Sequence, residues 1–126
     1  MRAVDTNILV RLITRDDQRQ VAVAEAFIAK GAWVSTLALA ETSWVLESVY
    51  GLQHSDIATV IEMLLVHEHL SLQDADTVAV ALEHYRAIPT LGFTDCLLLE
   101  LARKAGHLPL GTFDKRLSKL PGAERL

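Results

Sequence analysis

The sequence has only one cysteine, Cys96, among its 126 residues. One cysteine can form neither a disulfide framework nor a thiolate metal site. No apolar run reaches the roughly 18–20 residues that a membrane span needs. The first residues, 1–5, lead into a strand pattern without the apolar stretch of a signal peptide. These absences predict a cytoplasmic protein with no membrane partner.

Basic residues are also scarce, with 12 Lys and Arg against 16 Asp and Glu and a net charge of −4. Proteins that bind nucleic acid non-specifically through their net charge are usually basic, so this charge balance disfavours that mode of binding. It does not disfavour a metal site, because carboxylates that hold cations are neutralised when the ions bind.

Hydrophobic residues make up 51% of the chain, which is enough to bury a core in one domain spanning residues 1–126. Short apolar segments alternate with longer helical patterns. Strands are predicted at 2–4, 32–35, 69–72, 108–110 and 124–126, and helices at 7–14, 17–30, 36–50, 55–66, 76–88 and 94–104, with Ser55 and Asp74 as helix caps. This alternation predicts an α/β fold, a three-layer α/β/α sandwich with a mostly parallel sheet.

Four acids are placed near strand ends or helix starts by this pattern. Asp5 follows the first strand and Asp114 the fourth, whereas Glu41 lies in the first turns of the helix after the second strand. Asp95 begins a helix and joins the others only if that helix starts at the same edge. Because ligands of open parallel sheets bind beyond the carboxyl ends of the strands, a four-acid cluster is expected there.

Two of these acids have apolar neighbours at helical spacing. The neighbours are Leu37, Trp44 and Val45 for Glu41, and Leu98 and Leu99 for Asp95. Both acids are therefore expected on the apolar stripes of their helices, where an uncompensated carboxylate costs several kcal/mol. No Lys or Arg of the same stripes can compensate them.

A divalent cation resolves this conflict, since Mg²⁺ and Mn²⁺ prefer carboxylate oxygens and water. Bound there, such an ion activates water and stabilises a phosphodiester during displacement. The expected activity is metal-assisted phosphodiester hydrolysis. Asn7, Thr94 and Thr112 are expected to orient the acids or the water.

Three of the acids also have a ready structural interpretation, whereas a structural role for Glu41 would still need a buried partner. Asp5 and Asp114 can cap the helices that follow them, and Asp95 can favour a helix N-terminus through the helix dipole. Separately these interpretations are reasonable, but they do not explain four acids at one edge. Among nearby cations, Arg11 and Lys115 are the better candidates to contact RNA, whereas Arg19 and Lys119 are expected on solvated faces.

The motifs together resemble the PIN domain. They are Val4-Asp5-Thr6-Asn7-Ile8-Leu9, Glu41-Thr42-Ser43, Thr94-Asp95-Cys96-Leu97-Leu98 and Thr112-Phe113-Asp114. Their order and spacing, over nearly the whole chain, are similar to those of the VapC toxins of prokaryotic toxin–antitoxin pairs. None of the four motifs is specific by itself.

This resemblance implies a Mg²⁺- or Mn²⁺-dependent endoribonuclease whose catalytic and metal-binding quartet is Asp5, Glu41, Asp95 and Asp114. It also implies a homodimer and a VapB-type antitoxin that lies along the toxin groove. The expected substrate is RNA, and the sequence does not choose among RNA targets.

Two alternatives come from other classes of protein. A haloacid-dehalogenase-like phosphatase also has an Asp after its first strand, but it needs a second Asp where this chain has Asn7. A non-catalytic module that binds RNA or a partner is the other alternative, and the complete quartet argues against it. Trp44, one turn from Glu41, is equally consistent with a groove, a partner interface or the core.

Overall fold

The protein is described here by a computed structural model that covers residues 1–126. The strands are β1 (Arg2–Ala3), β2 (Ala32–Val34), β3 (Leu70–Leu72), β4 (Leu110–Thr112) and β5 (Ala123–Arg125). The helices are α1 (Thr6–Thr14), α2 (Gln18–Ile28), α3 (Thr36–Ser48), α4 (His54–Val66), α5 (Ala75–Ala87) and α6 (Phe93–Ala105), and a 3₁₀ turn spans Leu117–Lys119. The chain forms two compact units, Met1–Ala75 and Asp76–Leu126.

The first unit contains a three-stranded parallel sheet in the order β1-β2-β3. Ala32 of β2 pairs with Arg2 of β1 and with Leu70 of β3, so β2 is the central strand. The core of this unit contains fully buried large side chains from α1, α3 and α4. These are Leu9, Leu39, Leu46, Ile57 and Ile61. Burial of such side chains is the main stabilising contribution to this unit.

The second unit contains α5, α6 and a two-stranded parallel sheet of β4 and β5, with Leu110 opposite Ala123. Tyr85 of α5 and Phe93 of α6 pack edge to face, with ring centroids 5.8 Å apart. Helix α6 ends at Gly106, whose φ of 81° is the left-handed conformation that glycine adopts without strain. The first turn of α6 carries Asp95, so this acid lies on a helix that packs well within the unit.

The predicted α/β class and parallel strands are confirmed, although the five strands form two sheets. The fourth strand is displaced from the prediction by two residues and ends at Thr112, directly before the Phe113-Asp114 pair. The prediction that Ser55 caps α4 is wrong. Gln53 is the N-cap, and its backbone N–H donates to the Asp56 carboxylate at 3.3 Å, which stabilises an earlier helix start. None of the six helices combines the length and apolar character needed to cross a bilayer.

Candidate active site

Asp5 is the N-cap of α1 and directly follows the buried Val4. Its Oδ1 accepts the backbone N–H of Ile8 at 3.1 Å, while Oδ2 has no hydrogen-bond donor. The capping interpretation is therefore confirmed, and one oxygen is still available to a ligand. Capping also sets the side-chain orientation, because the bond to Ile8 restricts the carboxylate to a narrow range of rotamers.

Glu41 projects from the middle of α3, and its Oε2 accepts a 2.8 Å hydrogen bond from the Thr6 hydroxyl. Thr6 is the residue after Asp5 and the first residue of α1, so this bond ties Glu41 to the chain segment that holds Asp5. Thr6 was not among the residues predicted from the sequence to orient the acids. A hydroxyl next to an acid at a helix start was the available signal.

The expectation that Glu41 lies on a buried apolar stripe is wrong, because its side chain is exposed. Helix α3 buries another face, formed by Ala38, Leu39, Thr42, Ser43 and Leu46. Small and hydroxyl-bearing residues can pack there because Thr42 and Ser43 donate to the Ala38 and Ala40 carbonyls, which satisfies their hydroxyls. Both faces of α3 are rich in apolar residues, so periodicity could not tell the inner face from the outer one.

Asp95 lies in the first turn of α6, is partly buried and has no hydrogen bond to its carboxylate. Burial raises the pKa of this carboxyl, the negative charge of Asp114 raises it further, and the Arg116 cation opposes both effects. The predicted apolar surroundings are confirmed in part, since Leu99 is fully buried while Leu98 is half exposed.

Asp114 is held by the segment that follows it. Its Oδ1 accepts the backbone N–H groups of Arg116 at 2.7 Å and Leu117 at 3.3 Å, and its Oδ2 lies 3.4 Å from Arg116 Nη2. These bonds lower the pKa of the Asp114 carboxyl, with the Arg116 side chain as the largest cause. The Thr112 hydroxyl accepts the Asp114 N–H at 3.0 Å, consistent with its expected orienting role.

The sequence did not predict a role for Arg116 in holding an acid, but the structure gives this side chain a defined position. Besides binding Asp114, its Nη1 donates to the Thr90 carbonyl at 2.7 Å. The guanidinium therefore connects the loop that precedes α6, the helix of Asp95, with the segment after β4 that carries Asp114. Only the fold brings Thr90 and Arg116 into contact, so sequence spacing had no signal for this bond.

Three further residues that the sequence predicts to take part in the site, Asn7, Thr94 and Lys115, are exposed. Asn7 and Thr94 have exposed side chains that make no hydrogen bond within the chain, and their orienting role stays a prediction. Lys115 is exposed and has no ion pair, so its ammonium is available to an anion.

Arg11 is engaged within the first unit. Its guanidinium donates to Gln20 Oε1 at 2.5 Å, to Asp16 Oδ1 at 3.1 Å and to the Tyr50 hydroxyl at 3.2 Å. Tyr50 also donates to Asp16 Oδ2 at 3.0 Å. This network joins α1 to the start of α2 and the end of α3, which gives Arg11 a structural role in addition to the predicted RNA contact.

Arg19 differs from Arg11, because its side chain is exposed and makes no ion pair within the chain. It lines a depression of ≈ 580 Å³ in the first unit together with Asp5, Asn7 and Arg11. The expectation that Arg19 lies on a solvated face is therefore confirmed, and Arg19 is a cation of this depression that makes no ion pair within the chain.

The four acids are thus distributed in two pairs, Asp5 with Glu41 in the first unit and Asp95 with Asp114 in the second. No group of three or more His, Cys, Asp or Glu side chains is arranged to hold a metal ion. The single four-acid cluster stays a prediction. The donor set itself fits Mg²⁺ or Mn²⁺, because Asp5, Glu41 and Asp95 all keep carboxylate oxygens without an internal donor.

We expect Asp95→Asn to raise the melting temperature of the metal-free protein at pH 7. Because the pKa of Asp95 is raised, the folded protein binds this proton more tightly than the unfolded chain does. The free energy of unfolding of the wild type therefore falls as the pH rises from the unfolded pKa to the folded pKa. The gain in melting temperature from Asp95→Asn should disappear below the pKa of about 3.9 that an unfolded Asp has. Thermal unfolding in EDTA at pH 3 and pH 7 measures this, and an equal gain at both pH values would contradict it.

Comparison with known proteins gives one match. The family profile described as the PIN domain matches residues 2–123, which include all four acids. No curated protein and no solved structure matches the chain. PIN domains are generally nucleases that hydrolyse phosphodiester bonds, and they typically use divalent metal ions. With nearly its whole length matched, this chain belongs to the PIN domain family.

Proposed function

We propose that this protein is a Mg²⁺- or Mn²⁺-dependent endoribonuclease and that it is the toxin of a toxin–antitoxin pair. The nuclease activity is supported by the carboxylate oxygens of Asp5, Glu41 and Asp95 that accept no hydrogen bond within the chain. It is also supported by the match to the PIN domain over residues 2–123. Carboxylates that a fold positions but does not satisfy are suited to binding a cation.

Asp5, Glu41, Asp95 and Asp114 are the proposed metal-binding and catalytic acids. A divalent ion supplies Lewis-acid stabilisation of the phosphodiester and activation of water. The chain supplies the orientation: Ile8 N–H fixes Asp5, the Thr6 hydroxyl fixes Glu41, and the N–H groups after Asp114 fix that carboxylate. Asp95, the acid with the raised pKa, gains most from a cation because its ionised form is the least compensated.

The toxin assignment, the inhibitory VapB-type antitoxin and the homodimer follow from the similarity of the four motifs to VapC proteins. The antitoxin is proposed to cover the candidate acids. A phosphatase of the haloacid-dehalogenase type is disfavoured by the family match, and the non-catalytic module is the alternative against which the proposal is tested.

The test is incubation of total cellular RNA with the purified protein and Mn²⁺ or Mg²⁺, beside EDTA and Asp5→Asn controls. Discrete products that are absent from both controls support the proposal. A protein that binds Mn²⁺ but cuts only after removal of a co-purified small protein supports the toxin assignment as well. Absence of both cleavage and metal binding would favour the non-catalytic module.

We also propose that Arg19 contacts a phosphate of the RNA near Asp5. Arg19→Ala should therefore weaken RNA binding and reduce the salt dependence of the binding, because this contact is lost. Arg11→Ala should instead lower the melting temperature, since it removes the donor shared by Asp16, Gln20 and Tyr50. Binding isotherms at several salt concentrations and thermal unfolding of both variants separate the two roles. Equal binding by Arg19→Ala and wild type would exclude the proposed phosphate contact.

A further inference from the structure

The outer face of α3 exposes a stripe of large apolar side chains around Glu41. Leu37 is 67% exposed and Trp44 is 64% exposed, and they lie four residues before and three residues after the acid. Residues at these spacings are neighbours on one helix face. A candidate metal-binding carboxylate is therefore flanked on both sides by side chains that water solvates poorly.

The charges of α3 restrict what this stripe can bind. The helix, TLALAETSWVLES, contains no Lys, Arg or His, and its ionisable residues are Glu41 and Glu47. A phosphate has no cationic partner on this helix, and the two carboxylates repel it. The groups that α3 offers to a nucleic acid are the indole ring of Trp44 and the alkyl surface of Leu37, and their natural counterpart is the uncharged, planar face of a base.

We infer that Trp44 is a base-stacking residue of the substrate site, with Leu37 as the apolar contact on the other side of Glu41. This inference rests on the proposed function. In it, a base of the RNA lies on the exposed indole, and the adjoining phosphodiester approaches the divalent ion that Glu41, one helical turn away, would help to hold. The stacked base must be unpaired, because a base inside a duplex has both faces covered by its neighbours.

The two tryptophans of the chain, Trp33 and Trp44, make this testable by fluorescence. Trp33→Phe leaves Trp44 as the only tryptophan, and Trp44→Phe leaves Trp33 as the matched control. Each variant is titrated with a single-stranded oligoribonucleotide and with the same oligonucleotide annealed to its complement, in Mg²⁺, and gels verify that the RNA stays intact. We expect the single strand to quench Trp44 emission saturably, and the duplex to leave it unchanged. Trp33 emission should respond to neither.

Binding of the labelled single strand, measured by anisotropy, should weaken by about 5- to 150-fold in Trp44→Ala, the range expected for one lost stacking contact. Trp44→Phe should retain most of the affinity because it keeps an aromatic face. Since Trp44 is exposed, both variants should melt at the wild-type temperature, which separates a binding defect from a folding defect.

Unquenched Trp44 emission and equal RNA affinity of Trp44→Ala, in a protein that still cleaves RNA, would overturn the stacking inference and leave the proposed function intact. Trp44 emission that shifts with protein concentration and not with RNA would assign the stripe to contact between copies of the chain, which also overturns it. Wild-type protein that neither binds nor cleaves RNA would remove the proposed function, and the stacking inference with it.

Discussion

Asp5→Asn should lower RNA cleavage by at least about 100-fold, the scale of losing a group that acts on the transition state, while the free energy of unfolding changes little. Asparagine is as good an N-cap as aspartate, so the side-chain oxygen can still accept the Ile8 N–H. What it cannot provide is the negative charge that a divalent ion needs. Asp5→Ala should lose cleavage equally and also lose about 1 kcal/mol of stability with the cap.

Asp17 offers a matched control for this experiment. It caps α2 just as Asp5 caps α1, accepting the Gln20 N–H at 3.0 Å. Asp17→Ala should therefore destabilise the protein by a similar amount and leave cleavage intact. Urea unfolding and cleavage rates of these three variants, compared with the wild type, separate capping from chemistry. Cleavage by Asp5→Asn at the wild-type rate would exclude Asp5 from the chemistry.

Glu100→Ala should lower the free energy of unfolding by roughly 1–3 kcal/mol, the largest stability effect expected of any acid in the chain. Glu100 is the buried acid, with 5% of its side chain exposed. It accepts from Arg103 Nε at 3.1 Å, and His84 Nε2 lies 3.4 Å away. Removing it leaves a cavity and takes the carboxylate away from Arg103 and His84, although Arg103 still donates to the Pro121 carbonyl. The cost should stay below that of a fully buried ion pair because Arg103 and His84 are partly exposed and regain water.

The Glu100 variants also test whether burial alone identifies a catalytic acid. Glu100 follows Asp95 by five residues, which turns its side chain by about 140° around α6. We expect Glu100→Gln, which keeps the shape of the side chain, to cleave RNA at the wild-type rate. Glu83→Ala, on the exposed face of α5, is the control and should unfold like wild type. Urea denaturation gives the stabilities. Loss of cleavage in Glu100→Gln at unchanged stability would contradict a purely structural role.

Much of the local structure is predictable because local chemistry determines it. Asp5, Asp17 and Ser35 each accept an N–H from the first turn of the helix that they cap. Gly106 ends α6 where a left-handed residue is required. These features depend on a few consecutive residues, so the sequence carries their full signal. The α4 start is the exception, because Gln53 and Asp56 compete with Ser55 as the capping group.

Burial was less predictable than secondary structure. Helix α3 has apolar residues on both faces, and hydroxyl bonds to its own backbone make Thr42 and Ser43 suitable for the interior. The side that faces the core is decided by what packs against the helix, in this unit α1 and α4. The sequence therefore located Glu41 correctly on the helix and wrongly in the core.

The sequence by itself determined the family, the α/β class, the parallel strands and the identity of the four candidate acids. Each of these depends on residue type, order and short spacing. Only the tertiary structure decided that the Thr6 hydroxyl binds Glu41, that Arg116 binds the Thr90 carbonyl, and that Arg11 is engaged by Tyr50 while Arg19 makes no ion pair. The physical reason is that hydrogen bonds and burial depend on distances between residues far apart in the chain, and those distances exist only after the elements have packed.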